Sequence, residues 1–125
     1  MTDIAEERKK ILDGTYPSKI IQGRQNKHIE GTAEFQQNKE KMNKLGSSPA
    51  ILYSDAQRLV DKYKGTGTIY FTKSSTEYPR EDINTKYVIG KTWDRNKGEY
   101  IDATIITISY SKVGTHVFPN NYSRR

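Results

Sequence analysis

Apolar positions are sparse along this chain, and their spacing changes character near Gly67. Before it they recur at helical intervals, and after it they alternate as in strands. Residues Thr2–Asp13 (TDIAEERKKILD) place Ile4, Ile11 and Leu12 on one helical face. Acids precede bases there, as the helix dipole favours, and Gly14 is placed to end the helix. The stripe is thin, so residues 1–15 read either as an N-terminal helix or as a linker from an upstream region. Tyr16-Pro17 breaks the pattern. Lys19–Gln22 is a candidate short strand. Gly23 and Gly31 then bracket a polar segment that presents Lys27 and His28. AEFQQNKEKMNKLGSSP, from Ala33, is weakly helical and ends in a break at Gly46–Pro49. SDAQRLVDKYKG is the strongest helix, with Ser54 as cap, Gln57 completing a capping box and Gly65 closing it. Its buried stripe is Ala56, Leu59, Val60 and Tyr63.

Beyond Gly67, TIYFT (Thr68–Thr72) predicts a strand and STEYPREDINT (Ser75–Thr85) a loop anchored by Pro79. KYVIGKTW (Lys86–Trp93) is a strand, DRNKGE a turn around Gly98, ATIITISYS (Ala103–Ser111) a long strand, and THVFP a short one stopped by Pro119. The order predicts an α+β fold, N-terminal helices packed on a C-terminal antiparallel sheet of about four strands. The globular part spans 16–119, and 120–125 reads as a flexible tail. In the long strand Ile106, Ile108 and Tyr110 face one way. Thr107, Ser109 and Ser111 face the other, which is expected to stay open to solvent or ligand. Gly114 tightens the hairpin and draws the Tyr110–Lys112 region towards His116.

Composition sharpens this picture. The chain has 125 residues, 33% of them hydrophobic, and mean hydropathy is -0.91. That is polar for a globular domain, yet nine tyrosines argue against disorder. No apolar run approaches membrane-spanning length, so no membrane partner is expected, and the N-terminus carries no apolar signal region. With no cysteine there are no disulfides or thiolate metal sites, which suits a reducing cytosol. The net charge of +6 is unevenly placed. Gly14–Ile29 holds Lys19, Arg24 and Lys27 without an acid. Ala103 to the end holds Lys112, Arg124 and Arg125, again without one, and the rest of the chain is neutral. Each basic segment carries one of the two histidines, His28 and His116, a distribution that draws polyanions.

A hairpin histidine such as His116 is by itself an ordinary packing residue. Two imidazoles near lysines can also act as acid and base near neutral pH. RNA cleavage requires little else: a base for the 2′-hydroxyl, an acid for the leaving 5′-oxygen, and a cation for the charged transition state. Other chemistries lack their residues. There is no clustered metal-ligand pattern, no phosphate-binding or dinucleotide-binding glycine loop, and no G-x-S-x-G. GTG at Gly65–Gly67 ends a helix, and KSST at Lys73–Thr76 reads as a loop. No metal or other cofactor is expected.

GRQNKHIEGT and ITISYSKVGTHVFP, separated by the capped helix and KYVIGKTWDRNKGE, resemble the polymorphic toxin type 50 domain over about Ile21–Pro119. The family's first motif falls on Lys27, His28, Ile29, Gly31 and Thr32. The second falls on Tyr110, Ser111, Lys112, Gly114, Thr115, His116 and Pro119. In that family a histidine often precedes the Tyr-Ser-Lys. Ser109 stands there in this chain, which moves the second catalytic role to His116. The resemblance implies the ribonuclease fold group of barnase, the EndoU and colicin nucleases and RelE. It also implies a metal-independent RNA endonuclease acting in the bacterial cytoplasm, exported or carried on a larger toxin or phage protein. His28 and His116 would share the acid and base roles, with Lys27, Lys112 and Tyr110 also catalytic. Arg24, Thr32, Lys91, Thr107, Ser109, Ser111 and Thr115 would contact RNA. An acidic immunity protein is the expected inhibitor. The same charge pattern would also serve a non-catalytic nucleic-acid-binding module or an inactive phage structural domain.

Overall fold

The computed structural model describes residues 3–121. Four helices, α1 (Ile4–Asp13), α2 (Gln22–Gln25), α3 (Ala33–Asn43) and α4 (Ala56–Tyr63), precede most of the sheet, and a 3-10 turn at Asn26–His28 follows α2. The strands are β1 (Ile51–Leu52), β2 (Thr68–Thr72), β3 (Ser75–Asn84), β4 (Gly90–Asp94), β5 (Glu99–Ala103), β6 (Ile105–Tyr110) and β7 (Thr115–Asn120). They form two antiparallel sheets, β2-β3-β6-β7 and β1-β4-β5. The fold is α+β as expected, with seven strands in two sheets among the described residues where about four in one were predicted.

The helix starts follow side-chain chemistry. Asp3 caps α1 by accepting from the Glu6 N–H, and Gly14 ends it at φ +84°. Ile11 is fully buried, and Arg8 donates to the Gly65 and Gly67 carbonyls, so α1 is docked on the body. On α4 the predicted stripe faces the core, but the cap is Asp55, which accepts from the Arg58 N–H, and not Ser54. Gln57 is drawn away from a capping box. Its side chain accepts from the Ile20 N–H and donates to the Ser18 carbonyl.

Two segments depart from their predicted states. Ser75–Asn84 is a ten-residue strand, not a loop. Pro79 is tolerated because it lies beside the register shift opposite Tyr70–Thr72 and beyond the Arg80–Ser109 end of pairing with β6. Ala103–Ser111 is two strands. Ala103 closes the small sheet opposite Gly90, and Ile105 opens the large one. Between them the Thr104 carbonyl accepts from the Thr85 N–H and hydroxyl. The strand predicted from Lys86 begins only at Gly90, since Lys86 sits at φ +65° and its N–H donates to the Asn84 side chain in a tight turn. The Lys19–Gln22 strand reduces to one bridge, Ile20 with Thr115. Pro119 does not stop β7, because its missing N–H falls on the edge of the sheet. In the predicted tail, Asn120 ends β7 and residues 122–125 lie outside those described. The core gathers Ile11, Leu59, Val60, Ile83, Ile106, Ile108 and Val117 between the helices and the inner face of the large sheet.

The outer edge of β7 determines where His28 goes. Thr115 exchanges backbone hydrogen bonds with Lys19 and Ile21. One step on, the buried Gln25 amide replaces a strand, donating to the Val117 carbonyl and accepting from the Val117 N–H, both at 2.8 Å. Gly114 permits this contact. It lies at φ +150°, and a Cβ there would stand 2.7 Å from Ile21 and from the Lys19 carbonyl. Covering the edge in this way satisfies its backbone groups and carries the 3-10 turn of His28 over the solvent-side face of the sheet.

Candidate active site

Two rungs cross that face. One runs Tyr70, Arg80, Ser109, His116 and the other Asp82, Thr107, Phe118, by the strand registers. Phe118 is the hub. His28 stacks at 5.2 Å from its ring, His116 lies at 5.8 Å, and the Arg80 guanidinium at 5.6 Å. The two imidazoles are 6.2 Å apart and nearly parallel, at 5°.

The histidines differ in how they are held. The His28 Nδ1 is 3.0 Å from the Ala50 carbonyl, so it carries the proton and Nε2 keeps its lone pair. Burial lowers the pKa of His28, opposed by that hydrogen bond and reinforced by Lys27. His116 has a buried Nδ1 with no hydrogen-bond partner. Its pKa is pushed down from 6.5 to about 4, first by burial and then by the positive fields of His28, Arg24, Arg80 and Lys27. The Arg80 Nε is likewise buried without a partner. Unpaired buried polar atoms of this kind are rare in native proteins. Here two lie beside the same ring.

The low pKa of His116 has a consequence for stability. Its neutral form is favoured in the folded state, so its contribution is intact above about pH 6.5 and is lost as pH falls towards 4. His116→Leu should therefore reduce the acid destabilisation between pH 7 and pH 4 by roughly 2–3 kcal/mol, read from urea midpoints at the two pH values. An unchanged pH dependence would show that His116 titrates normally.

Other residues expected at the site are distributed more widely. Arg24 and Lys27 are exposed and act on His116 through their charge. Ser109 neighbours His116 across the ladder. Thr32 acts on the backbone: it caps α3 by accepting from the Phe35 N–H and donates to the Asn26 and Ile29 carbonyls, fixing the turn that bears His28. The hydroxyl face is not open along its length. Thr107 is fully buried and donates to Asp82, which also accepts from the Tyr70 hydroxyl. Ser111 and Thr115 are buried, donating to the Gly114 and Ser109 carbonyls. Tyr110 belongs to the core, 2% exposed, with its hydroxyl donating to Glu81 at 2.6 Å. Lys91 stands on the small sheet, opposite Ile51 and Asp102. Lys112, at the hairpin tip, lines a neighbouring cavity with Arg24 and Ser109.

Sequence reasoning missed Arg80, Phe118, Gln25 and the Ala50 carbonyl. Phe118 had a signal, since it lies two residues from His116 and so shares its face of the strand. Arg80 was hidden in a segment read as a loop.

Residues 20–119 match the family model described as bacterial toxin 50. The chain belongs to that family. A comparison with curated proteins returned no match. As a bacterial toxin domain it carries both histidine motifs within the matched region. No helix among the described residues is long and apolar enough to cross a membrane. Among the same residues no group of three or more His, Cys, Asp or Glu is arranged to hold a metal ion.

Proposed function

We propose that this toxin domain is a metal-independent RNA endonuclease with His28 and His116 at its centre. The observation that carries the reading is the stacked pair, 6.2 Å apart, beside Arg80 and within the fields of Arg24 and Lys27. That separation lets one phosphodiester engage both rings. His28, with Nδ1 committed to Ala50, offers Nε2 as the base that takes the 2′-hydroxyl proton. The 2′-oxygen attacks phosphorus, the bond to the 5′-oxygen breaks, and His116 protonates that oxygen. Products are a 2′,3′-cyclic phosphate and a 5′-hydroxyl. Arg80, with Arg24 and Lys27, stabilises the charge that builds on the phosphoryl oxygens. In the free protein burial, joined by the positive fields of His28 and of those cations, holds His116 neutral. A bound phosphodiester offsets the positive fields and raises the proton affinity of the ring that is to donate.

The family assignment and the surplus of positive charge support a cytoplasmic RNA target and an acidic immunity protein seated over this face. The deciding experiment incubates purified protein with total RNA in EDTA. Fragments ending in 2′,3′-cyclic phosphate are expected. Intact RNA with tight binding would instead identify a binding module.

A further inference from the structure

We propose that the cavity beside the histidine pair is a subsite for the nucleotide adjoining the scissile phosphate. This deepens the ribonuclease reading and rests on it for the identity of the ligand as RNA. The cavity, about 400 Å³, lies between α2, the start of β3 and the β6–β7 turn. That volume is within the range of small-ligand sites. It shares two walls with the histidine pair. Ser109 lines it and pairs across the ladder with His116, and Arg24 lines it while its charge acts on His116. A strand held at the histidines therefore has this cavity as its neighbour on that side.

The lining selects the ligand. Arg24 and Lys112 are the charged side chains around it, both exposed, and no carboxylate accompanies them. Tyr78 and Tyr110 also line it. The Tyr110 ring is 2% exposed, with its hydroxyl turned into the core towards Glu81, so the aromatic ring a ligand can meet is the half-buried Tyr78, held edge-on against Tyr16. The Ser111 hydroxyl is spent on the Gly114 carbonyl. What remains is cationic at the rim and aromatic at the wall. A free inorganic anion would use the cations and leave the Tyr78 ring idle, and a neutral sugar would leave the cations uncompensated. A nucleotide, with its phosphate and π-face, uses both. Lys112 then acts one nucleotide away from the histidines.

The test uses 2′-O-methyl oligonucleotides, which bind but cannot be cleaved because the attacking hydroxyl is blocked. Affinities are measured for a dinucleotide and for trinucleotides extended on the 5′ or the 3′ side. One extension should tighten binding about tenfold. Lys112→Glu should abolish that gain, Lys112→Arg should keep it, and Lys112→Glu should flatten the slope of log Kd against log salt by about 0.7. The proposal fails if neither extension tightens binding, or if the gain survives in Lys112→Glu. Cleavage of total RNA is followed separately. Cleavage without the length gain retains the nuclease and removes the subsite, whereas the gain without cleavage does the reverse.

Discussion

His28→Ala and His116→Ala should each lower RNA cleavage by roughly a thousandfold, with the double variant little worse than either single one. The two rings serve one concerted transfer, so losing either leaves the other without a task. Both variants should bind uncleavable RNA with near-normal affinity, because the cations Arg24, Lys27 and Arg80 remain. Losses below tenfold would mean that the stacked pair is a packing feature. The pH profile gives an independent check. Burial and neighbouring charge place both histidines below their ordinary 6.5, His116 at about 4. A bell-shaped kcat/KM bounded by these two groups must centre below pH 6.5, whichever ring is acid and whichever base. A symmetrical optimum above pH 7 would exclude the pair as the titrating groups.

Glu81→Ala should destabilise the fold by about 3–5 kcal/mol, the largest stability effect expected in the molecule. Glu81 is 0% exposed and sits on the core face of β3. It accepts from the Gly65 N–H at 2.9 Å, the Gly67 N–H at 2.6 Å and the Tyr110 hydroxyl at 2.6 Å, with Arg8 4.0 Å away. Removing the carboxylate strands the buried Tyr110 hydroxyl and two part-buried N–H donors at once and loosens the attachment of α1 through Arg8. Thermal unfolding should shift down by more than about 10 °C. The companion variant separates structure from chemistry. Tyr110→Phe removes one donor, so it should cost about 1–2 kcal/mol and leave kcat within about twofold. A hundredfold loss of kcat in Tyr110→Phe at unchanged stability would return Tyr110 to the catalytic set.

Much of the architecture is legible in the amino-acid order. The stripe Ala56, Leu59, Val60, Tyr63 announces α4, and alternation announces β2 and β7, because burying one face of an element imposes its period. The unequal charge and the two motifs single out His28 and His116 before any coordinates. β3 stays hidden, because its hydrophobic pattern is interrupted by Arg80, Glu81 and Asp82. Each of these is accommodated by a partner distant in the chain: the Phe118 ring, the 65–67 backbone and the Thr107 hydroxyl.

The same limit applies to the hydroxyls. Periodicity placed Thr107, Ser109 and Ser111 on one face, but it cannot say which of them finds a partner inside the protein. Tyr110 and Thr115 carry family motif positions, yet their hydroxyls are committed to Glu81 and the Ser109 carbonyl. The meeting of the histidines is a tertiary event. It depends on Gln25 closing the edge of β7 and on Gly114 admitting Lys19 and Ile21. Residue type and spacing determine which groups are able to do chemistry. Only the folded backbone, by leaving some polar groups paired and others unpaired, decides which of them remain available for it.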